Sequence, residues 1–252
     1  MNSTILIVGA SSGIGKETAL IFSKNNWKVI ACSRNIKKLN DLSNLSIKRN
    51  NKNILTSKLD VTNSSMLSEN FNKIFKKFGT PDIVFLNAGT NNPNTTDIVN
   101  YKETKKLFDT NFFGIINCID IILPKLKKKN NTQLVIMSSV AGYRGLPYAA
   151  AYCSSKSALI TYAESIYNQC KKVGIRVRVI CPGFVKTPLT DKNEFKMPMI
   201  ITSEKAGKII YKKLTSSNDF EIIFPKLFCY IMKFLSYLPS FIYLRITARL
   251  LK

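Results

Sequence analysis

Short apolar runs alternate with helical patterns along almost the whole of this 252-residue chain. The strand-sized apolar runs occupy residues 5–8, 28–32, 54–59, 83–86, 134–137, 175–180 and 221–224. Helical periodicity lies between them, at about 14–24, 36–47, 66–78, 101–128, 150–172 and 203–214. Repeated strand–helix–strand units favour parallel strands, right-handed crossovers and helices on both faces of one sheet. The pattern predicts a single doubly wound α/β domain of about seven strands over residues 1–224, followed by a helical tail over 225–252.

The first strand leads directly into a glycine-rich turn that opens a helix. Gly9 allows the tight turn, Gly13 lets the backbone approach a pyrophosphate, and Gly15 lets the helix lie against the sheet. Free N–H groups and the helix dipole favour negative charge at this point. The context therefore predicts a dinucleotide site rather than a turn that is only structural. Its candidate contacts are Gly9, Ser11, Ser12, Gly13, Ile14 and Gly15.

The ends of the second and third strands carry the residues expected to select the dinucleotide. An acid after the second strand would bind the ribose 2′-hydroxyl of NAD, whereas an Arg accommodates the 2′-phosphate of NADP. This chain has Ser33 and Arg34 there, which predicts NADP(H); the alternative is an exposed Arg without a ligand. Asp60, followed by Val61, either meets the adenine or only caps its turn.

Tyr152 and Lys156 are four residues apart in a predicted helix and therefore share one face. A phenol has a pKa of ~10, and a neighbouring ammonium is expected to lower it, so that Tyr152 can act as a general acid or base. The pair alone is a weak signal. Ser139 strengthens it, because this residue follows the strand at 134–137 and so emerges at the same sheet edge as the glycine turn. Its hydroxyl can bind a reacting carbonyl oxygen.

These motifs together resemble the short-chain dehydrogenase/reductase family over residues 4 to about 190. The further matching positions are Asn87, Ala88, Gly89, Asn111, Pro182, Gly183, Val185 and Thr187. The resemblance implies a Rossmann-like sheet with strand order 3-2-1-4-5-6-7. The chain differs from the usual family pattern at two positions. It has Val8 where Thr is frequent in the family, and Leu86 where a second Asn is frequent.

The resemblance also implies a role for each matched residue. Tyr152 would exchange the proton, Ser139 would orient the substrate, and Lys156 would hold the nicotinamide ribose and lower the pKa of Tyr152. Asn111 would hold a water of the proton relay from within the long helix. The segment 87–89 would border the cofactor, and Pro182, Gly183, Val185 and Thr187 would contact its nicotinamide end. A homodimer or homotetramer would form through the helices near 101–128 and 150–172.

The charge of +23, from 38 Lys and Arg against 15 Asp and Glu, favours anionic partners. The basic residues are spread along the chain and are mostly Lys, which argues against a nucleic-acid footprint. A compositional bias toward Lys, Asn and Ile is the simpler cause; a charge selected for a partner is the alternative. The chain has no His and no C-x-x-C pair among its six Cys residues, so no metal site is expected. Cys residues within apolar runs and the lack of a signal-like N-terminus favour a reducing cytoplasm.

The C-terminal part is unusually apolar and carries a basic edge. Two short helices broken near Pro239 are expected. Three interpretations remain open: helices lying in a membrane interface on the inner face, a tail packed over the substrate pocket or a partner subunit, and a transmembrane span over 222–244. The segment 189–202 is expected to form a short apolar lid, which favours an apolar substrate.

The sequence therefore predicts an NADP(H)-dependent oxidoreductase that interconverts an alcohol and a carbonyl, the latter an apolar ketone or aldehyde. A 3-oxoacyl carrier-protein reductase is one alternative, because a basic surface suits an acidic carrier. A regulatory protein that binds NADP(H) without turnover is another, although the intact Ser139, Tyr152 and Lys156 argue against it.

Overall fold

A computed structural model describes residues 3–51, 54–92 and 98–250. Its strands are β1 (Thr4–Val8), β2 (Lys28–Ser33), β3 (Ile54–Lys58), β4 (Ile83–Leu86), β5 (Thr132–Met137), β6 (Ile175–Pro182), β7 (Val185–Lys186), β8 (Ile201–Thr202) and β9 (Glu221–Phe224). Seven of them form one parallel sheet in the order β3-β2-β1-β4-β5-β6-β9, which confirms the predicted order, with β9 as the seventh strand. The short strands β7 and β8 pair separately beside the predicted lid.

Helices cover both faces of the sheet, as predicted. They are α1 (Gly13–Lys24), α2 (Ile36–Lys48), α3 (Ser64–Phe78), α4 (Tyr101–Phe108), α5 (Gly114–Lys129), α6 (Ala150–Lys172), α7 (Ser203–Ser216), α8 (Lys226–Tyr237) and α9 (Ser240–Ala248). Asn side chains cap the starts of α2, α3 and α4 by accepting a hydrogen bond from the first turn. The helix predicted over 101–128 is continuous in space, but a π-helical turn, Asp109–Phe113, joins α4 to α5.

The core has two halves because alternate residues of each central strand face opposite sides of the sheet. Leu6 and Val8 of β1 pack with α3, α5 and α6 on one side. Ile5 and Ile7 pack with α1, α2 and α7 on the other. Strands buried on both faces account for the continuous apolar runs in the sequence.

The helical stretch Tyr101–Lys129 has the length and apolar character of a membrane span. In the fold, however, 44% of its most apolar window is buried. Ile115, Ile119 and Ile122 of α5 pack into the core beside the sheet. The composition of this stretch is therefore explained by its place as a core helix.

The tail is a pair of short helices separated at Pro239, as predicted. With 12 residues in α8 and 9 in α9, neither approaches the roughly 20 residues that a bilayer span requires. The transmembrane span that the sequence allows over 222–244 would also include most of β9, which is a strand of the main sheet. The transmembrane interpretation is therefore wrong. Residues 251 and 252 at the end of the tail lie outside the described residues.

Arg178 in β6 is fully buried, although most residues of this strand are apolar. Its guanidinium donates hydrogen bonds to the carbonyl oxygens of Asp219 (2.8 Å) and Lys213 (2.9 Å) and to Ser217 Oγ (3.0 Å). Burial lowers the pKa of this side chain to about 10. Arg178 thereby ties the end of α7 and the loop before β9 to the sheet, and β9 leads into the tail.

Replacing Arg178 by Met should lower the free energy of unfolding by about 3 kcal/mol, because buried carbonyl groups lose their donor. Urea denaturation of the purified variants measures this change. Arg176→Met on the same strand is the matched control, since Arg176 is only half-buried, and its effect should stay below about 1 kcal/mol. Equal losses in the two variants would contradict the bracing role of Arg178.

Candidate active site

A cleft of about 350 Å³ lies where the C-terminal ends of the central strands meet. This is the edge at which open parallel sheets bind ligands, and the volume falls in the usual range for small-molecule sites. All but three of the predicted site residues line it, the exceptions being Gly15, Asp60 and Asn111. The lining residues among the predictions are Gly9, Ser11, Ser12, Gly13, Ile14, Ser33, Arg34, Val61, Asn87, Ala88, Gly89, Ser139, Tyr152, Lys156, Pro182, Gly183, Val185 and Thr187.

The glycine turn brings three backbone segments into contact at one end of the cleft. Gly9 has a φ of +92°, and a Cβ there would lie 2.7 Å from the nitrogen of Ala88. A Cβ at Gly15 would clash with the carbonyl oxygen of Gly9. Gly15 therefore does not line the cleft but allows α1 to pack closely against the turn. Asn87 Nδ2 donates to the same oxygen at 2.8 Å. The N-terminus of α1 is thereby held beside the cleft, where its N–H groups suit an anion.

Arg34 is exposed at the rim of this end of the cleft. Ser33 beside it is buried, and its Oγ accepts from the nitrogen of Asn35 at 3.1 Å. Asn35 also lines the cleft and caps α2 by accepting from the nitrogen of Lys38 at 3.0 Å. The turn is thus ordered by its own side chains, while Arg34 provides the positive charge.

Asp60 does not line the cleft, although its neighbours Leu59 and Val61 do. Its Oδ1 accepts hydrogen bonds from the nitrogen (3.0 Å) and the hydroxyl (2.8 Å) of Thr62. The carboxylate is therefore occupied in capping the turn after β3, which is the simpler of the two roles expected for it.

Tyr152, Lys156 and Ser139 come together at the other end of the cleft. Tyr152 and Lys156 lie one turn apart on α6, with Lys156 Nζ 5.8 Å from the centroid of the Tyr152 ring. Lys156 is buried, and its ammonium donates to the carbonyl oxygen of Met137 at 3.1 Å. Ser139 follows β5, and its Oγ accepts from the nitrogen of Ala141 at 3.1 Å and takes part in a hydrogen bond with Tyr152. A hydroxyl, a phenol and an ammonium therefore converge on one region of the cleft.

Burial has the largest effect on the pKa values of Tyr152 and Lys156. Desolvation raises the pKa of Tyr152 to about 12, although the hydrogen bond with Ser139 acts in the opposite direction. Desolvation also lowers the pKa of Lys156 to about 8. In the protein without a cofactor, burial therefore outweighs the lowering of the Tyr152 pKa that was expected from Lys156, and that expected effect stays a prediction. At neutral pH Tyr152 is protonated.

Asn111 is fully buried behind the cleft, in the π-helical turn. Its Oδ1 accepts from the nitrogen of Thr90 at 2.7 Å, and its Nδ2 donates to the carbonyl oxygen of Thr90 (2.9 Å) and to Ser155 Oγ (3.1 Å). A Cβ placed on Gly89 would lie 3.4 Å from both Asn111 Oδ1 and Lys156 Nζ. Asn111 thus joins the loop after β4 to α6 next to Lys156, and π-helical turns are frequent at functional positions.

Aromatic rings form a wall near Gly183, where the tail reaches the site. A Cβ on Gly183 would lie 2.6 Å from the Phe228 ring of α8. The Phe184 ring lies 5.4 Å from the Phe228 ring and 5.8 Å from the Phe195 ring, centroid to centroid. The inner face of α8 therefore lies against Gly183, which lines the cleft, while packing of the tail over the pocket or on a partner subunit stays a prediction.

Several lining residues were not predicted from the sequence. They are Val8, Asn35, Leu59, Thr90, Thr110, Met137, Ser138 and Pro188, whereas Leu189 and Thr190, which also line the cleft, lie in the predicted lid. Met137 and Ser138 follow from the rule that ligands bind at the C-terminal ends of parallel strands. The segment after Thr187 folds back through a hydrogen bond from the nitrogen of Thr187 to Thr190 Oγ1 at 2.9 Å, and no local motif signals that bend.

The chain is similar to known proteins over most of its length. The short chain dehydrogenase family model matches residues 3–197. An uncharacterized oxidoreductase of Myxococcus xanthus is 32% identical over 222 residues, which are 88% of this chain and 87% of that protein. A 3-ketodihydrosphingosine reductase of Bacteroides thetaiotaomicron is 31% identical over 191 residues, which are 74% of this chain and 65% of that protein.

A solved structure of ElxO with NADP bound superimposes with a TM-score of 0.79 at 30% identity. The superposition covers 88% of this chain and 97% of that one. The family model, the strand order and the motifs found in the sequence all lead to the same assignment. The motif residues line one cleft at one edge of the sheet. The chain therefore belongs to the short-chain dehydrogenase/reductase family and is an oxidoreductase of that family.

Proposed function

We propose that this chain is an NADP(H)-dependent oxidoreductase that interconverts an alcohol and an apolar ketone or aldehyde, with Tyr152 as proton donor and acceptor. The observation that carries the proposal is the placement of Ser139, Tyr152 and Lys156 at one end of a cleft whose other end holds the glycine turn and Arg34. ElxO, which shares 30% of its sequence with this chain, binds NADP.

The residues of the cleft fit an NADP(H) molecule. A Cβ at Gly13 would lie 3.0 Å from Thr187 Cγ2, so a side chain at this position would fill the space beside the glycine turn. The glycine keeps that space open for a pyrophosphate. Arg34 with Ser33 would hold the 2′-phosphate, and Lys156 the nicotinamide ribose. When bound, the cofactor supplies or accepts the hydride.

The protein's own groups handle the proton and the charge. In reduction, Ser139 Oγ donates a hydrogen bond to the substrate carbonyl oxygen and steadies the negative charge that develops on it. Tyr152, protonated at neutral pH because of its raised pKa, transfers its proton to the same oxygen. The Lys156 ammonium then favours the phenolate that remains, against the effect of burial. In oxidation the same proton moves from the alcohol to Tyr152.

The substrate end of the cleft supports an apolar carbonyl compound. Phe184, Phe195 and Phe228 pack together next to Gly183, which lines that end, and aromatic rings there favour apolar surface over charge. The relative from Bacteroides thetaiotaomicron is named as a reductase of a keto compound. A carrier-protein substrate receives support only from the net charge, so we rank it second.

Replacing Tyr152 by Phe should lower kcat for NADPH-dependent reduction by a factor of about 10³, because the proton donor is lost. The dissociation constant for NADPH should change less than about threefold, since the ring remains in place. Tyr162→Phe removes a hydroxyl from the same helix and should leave kcat unchanged. Retention of turnover in Tyr152→Phe, measured with a panel of ketones and aldehydes, would contradict the assigned role.

Replacing Arg34 by Ala should weaken NADPH binding by about 30-fold, because a charge-assisted contact to the 2′-phosphate is lost. Binding of NADH, which lacks that phosphate, should stay the same. Fluorescence titration with both cofactors measures the two constants, and Arg49→Ala, which removes another exposed Arg, is the matched control. Equal weakening of NADPH and NADH would show that Arg34 does not read the phosphate.

The rate of carbonyl reduction should decline as pH rises through about 8, the pKa that burial gives Lys156. Below that pH both Lys156 and Tyr152 are protonated, so the rate should be level; above it the ammonium that favours the phenolate is lost. The measurement is kcat/KM for reduction between about pH 6 and 10 at constant ionic strength. A profile that stays level to its upper end would contradict the role given to Lys156.

A further inference from the structure

The outer surface of the tail is apolar where a surface helix is ordinarily polar. Five large side chains of α8 are exposed and recur every three or four residues: Leu227 (62%), Tyr230 (56%), Ile231 (43%), Phe234 (67%) and Tyr237 (78%). At 100° per residue they lie within roughly a third of the helix circumference. Phe241 and Leu244 of α9 are exposed to 74% and 64%. We call these seven residues the tail face.

Helix α8 is apolar on its outer side as well as on its inner side. Cys229 on the inner side is fully buried. Lys233 is also turned inward, where it forms an ion pair with Glu221 and lies 5.6 Å from the centroid of the Tyr143 ring, whereas Lys226 at the start of the helix is exposed. A surface helix of a protein surrounded only by water has mostly polar and charged residues on its outer side. An exposed apolar face of this size marks an interaction surface.

The tail is held rigidly, so the exposed face is part of the folded molecule. Arg144 donates hydrogen bonds to the carbonyl oxygen of Ser236 (3.1 Å) and to Ser240 Oγ (3.1 Å), on either side of the break between the two helices. Its guanidinium also lies 4.1 Å from the centroid of the Tyr243 ring. Tyr243 donates in turn to the carbonyl oxygen of Gly145 at 2.7 Å.

The charges near the tail face identify its partner. Residues 225–252 contain five Lys and Arg residues and no Asp or Glu. Lys226, Arg245 and Arg249 are exposed, and Arg245 and Arg249 lie one turn apart. A second copy of this chain would bring the same cations and a further charge of +23 against the face, which opposes pairing. A bilayer with anionic lipids offers apolar depth for the rings and negative charge for the cations.

We propose that the tail face is a docking surface for an anionic membrane, with α8 and α9 lying in the plane of the lipid headgroups. Their lengths of 12 and 9 residues suit a position along the interface. Phe228, on the inner side of α8, contacts Gly183 at the substrate end of the cleft, so docking places this end near the bilayer. The proposal does not rest on the catalytic function, since it concerns binding alone.

The test is flotation of the full-length protein with vesicles of phosphatidylcholine alone or mixed with phosphatidylglycerol. The wild type should bind the mixed vesicles at least about tenfold more tightly than the neutral ones. Phe234→Ser combined with Phe241→Ser should lower binding to mixed vesicles by about 100-fold, since each ring contributes about tenfold. Met66→Ser, which removes an exposed apolar side chain from α3, is the matched control and should bind as the wild type does.

A charge reversal separates the electrostatic part of the interaction. Arg245→Glu with Arg249→Glu should lower binding to mixed vesicles by about tenfold or more and leave the weak binding to neutral vesicles unchanged. Lys171→Glu with Lys172→Glu changes the net charge equally at the end of α6 and should have a much smaller effect. Circular dichroism and thermal unfolding verify that each variant is folded.

Two results would overturn the proposal. One is that the wild type does not bind the mixed vesicles, or that the tail substitutions do not change its binding to them. The other is an oligomer, seen by sedimentation velocity, that dissociates in Phe234→Ser with Phe241→Ser while the wild type ignores vesicles. That result would assign the face to a second copy of the chain. Neither result depends on turnover, so failure here is distinct from failure of the enzymatic proposal.

Discussion

The contact between the end of β5 and the second turn of α6 sets the geometry on which the site depends. Ser138 Oγ donates to the carbonyl oxygen of Lys156 at 2.8 Å, and Lys156 Nζ donates to the carbonyl oxygen of Met137 at 3.1 Å. A Cβ on Gly142 would lie 2.8 Å from the carbonyl carbon of Lys156, so the turn after β5 lies directly against the helix. Because strand and helix are joined on both sides of Ser139, the distance from its hydroxyl to Tyr152 is set by the backbone. Burial of Lys156 between the strand and the helix lowers its pKa to about 8.

The sheet and the placement of the site were predictable because they depend on local signals repeated along the chain. Apolar runs and glycine positions indicate a parallel sheet, and such a sheet collects its strand ends at one edge. Features that arise from packing between distant segments were not predictable. Arg178 lies in an apolar strand, and its partners come from residues 213–219. The π-helical turn that carries Asn111 has no sequence signature, and only the hydrogen bonds to Thr62 in the structure distinguish the two roles expected for Asp60.

The pKa of Tyr152 shows why a motif does not by itself determine the chemistry. The sequence indicates that an ammonium is near, but it does not reveal how much water the fold removes from the phenol. In the structure desolvation has the larger effect, and the pKa is raised to about 12. The ordinary rule that opposite charge favours ionisation still applies to Lys156, yet it acts on a group that burial has already made a weaker acid. A phenol with this pKa holds its proton at neutral pH.

The two ends of the cleft differ in their physical character, and the tail belongs to only one of them. Arg34 and the N-terminus of α1 make the glycine-turn end positive, which suits phosphate groups. The other end includes Gly183, and Phe228 of α8 packs against that residue. Arg144, five residues after Ser139, is bonded to the break between α8 and α9. The tail is therefore in contact with Gly183 at this end of the cleft and with the loop after Ser139. The glycine turn, built from β1, α1 and Asn87, has its own supports. The proposed membrane docking would thus involve the elements at the Gly183 end of the cleft and not those that form the glycine turn.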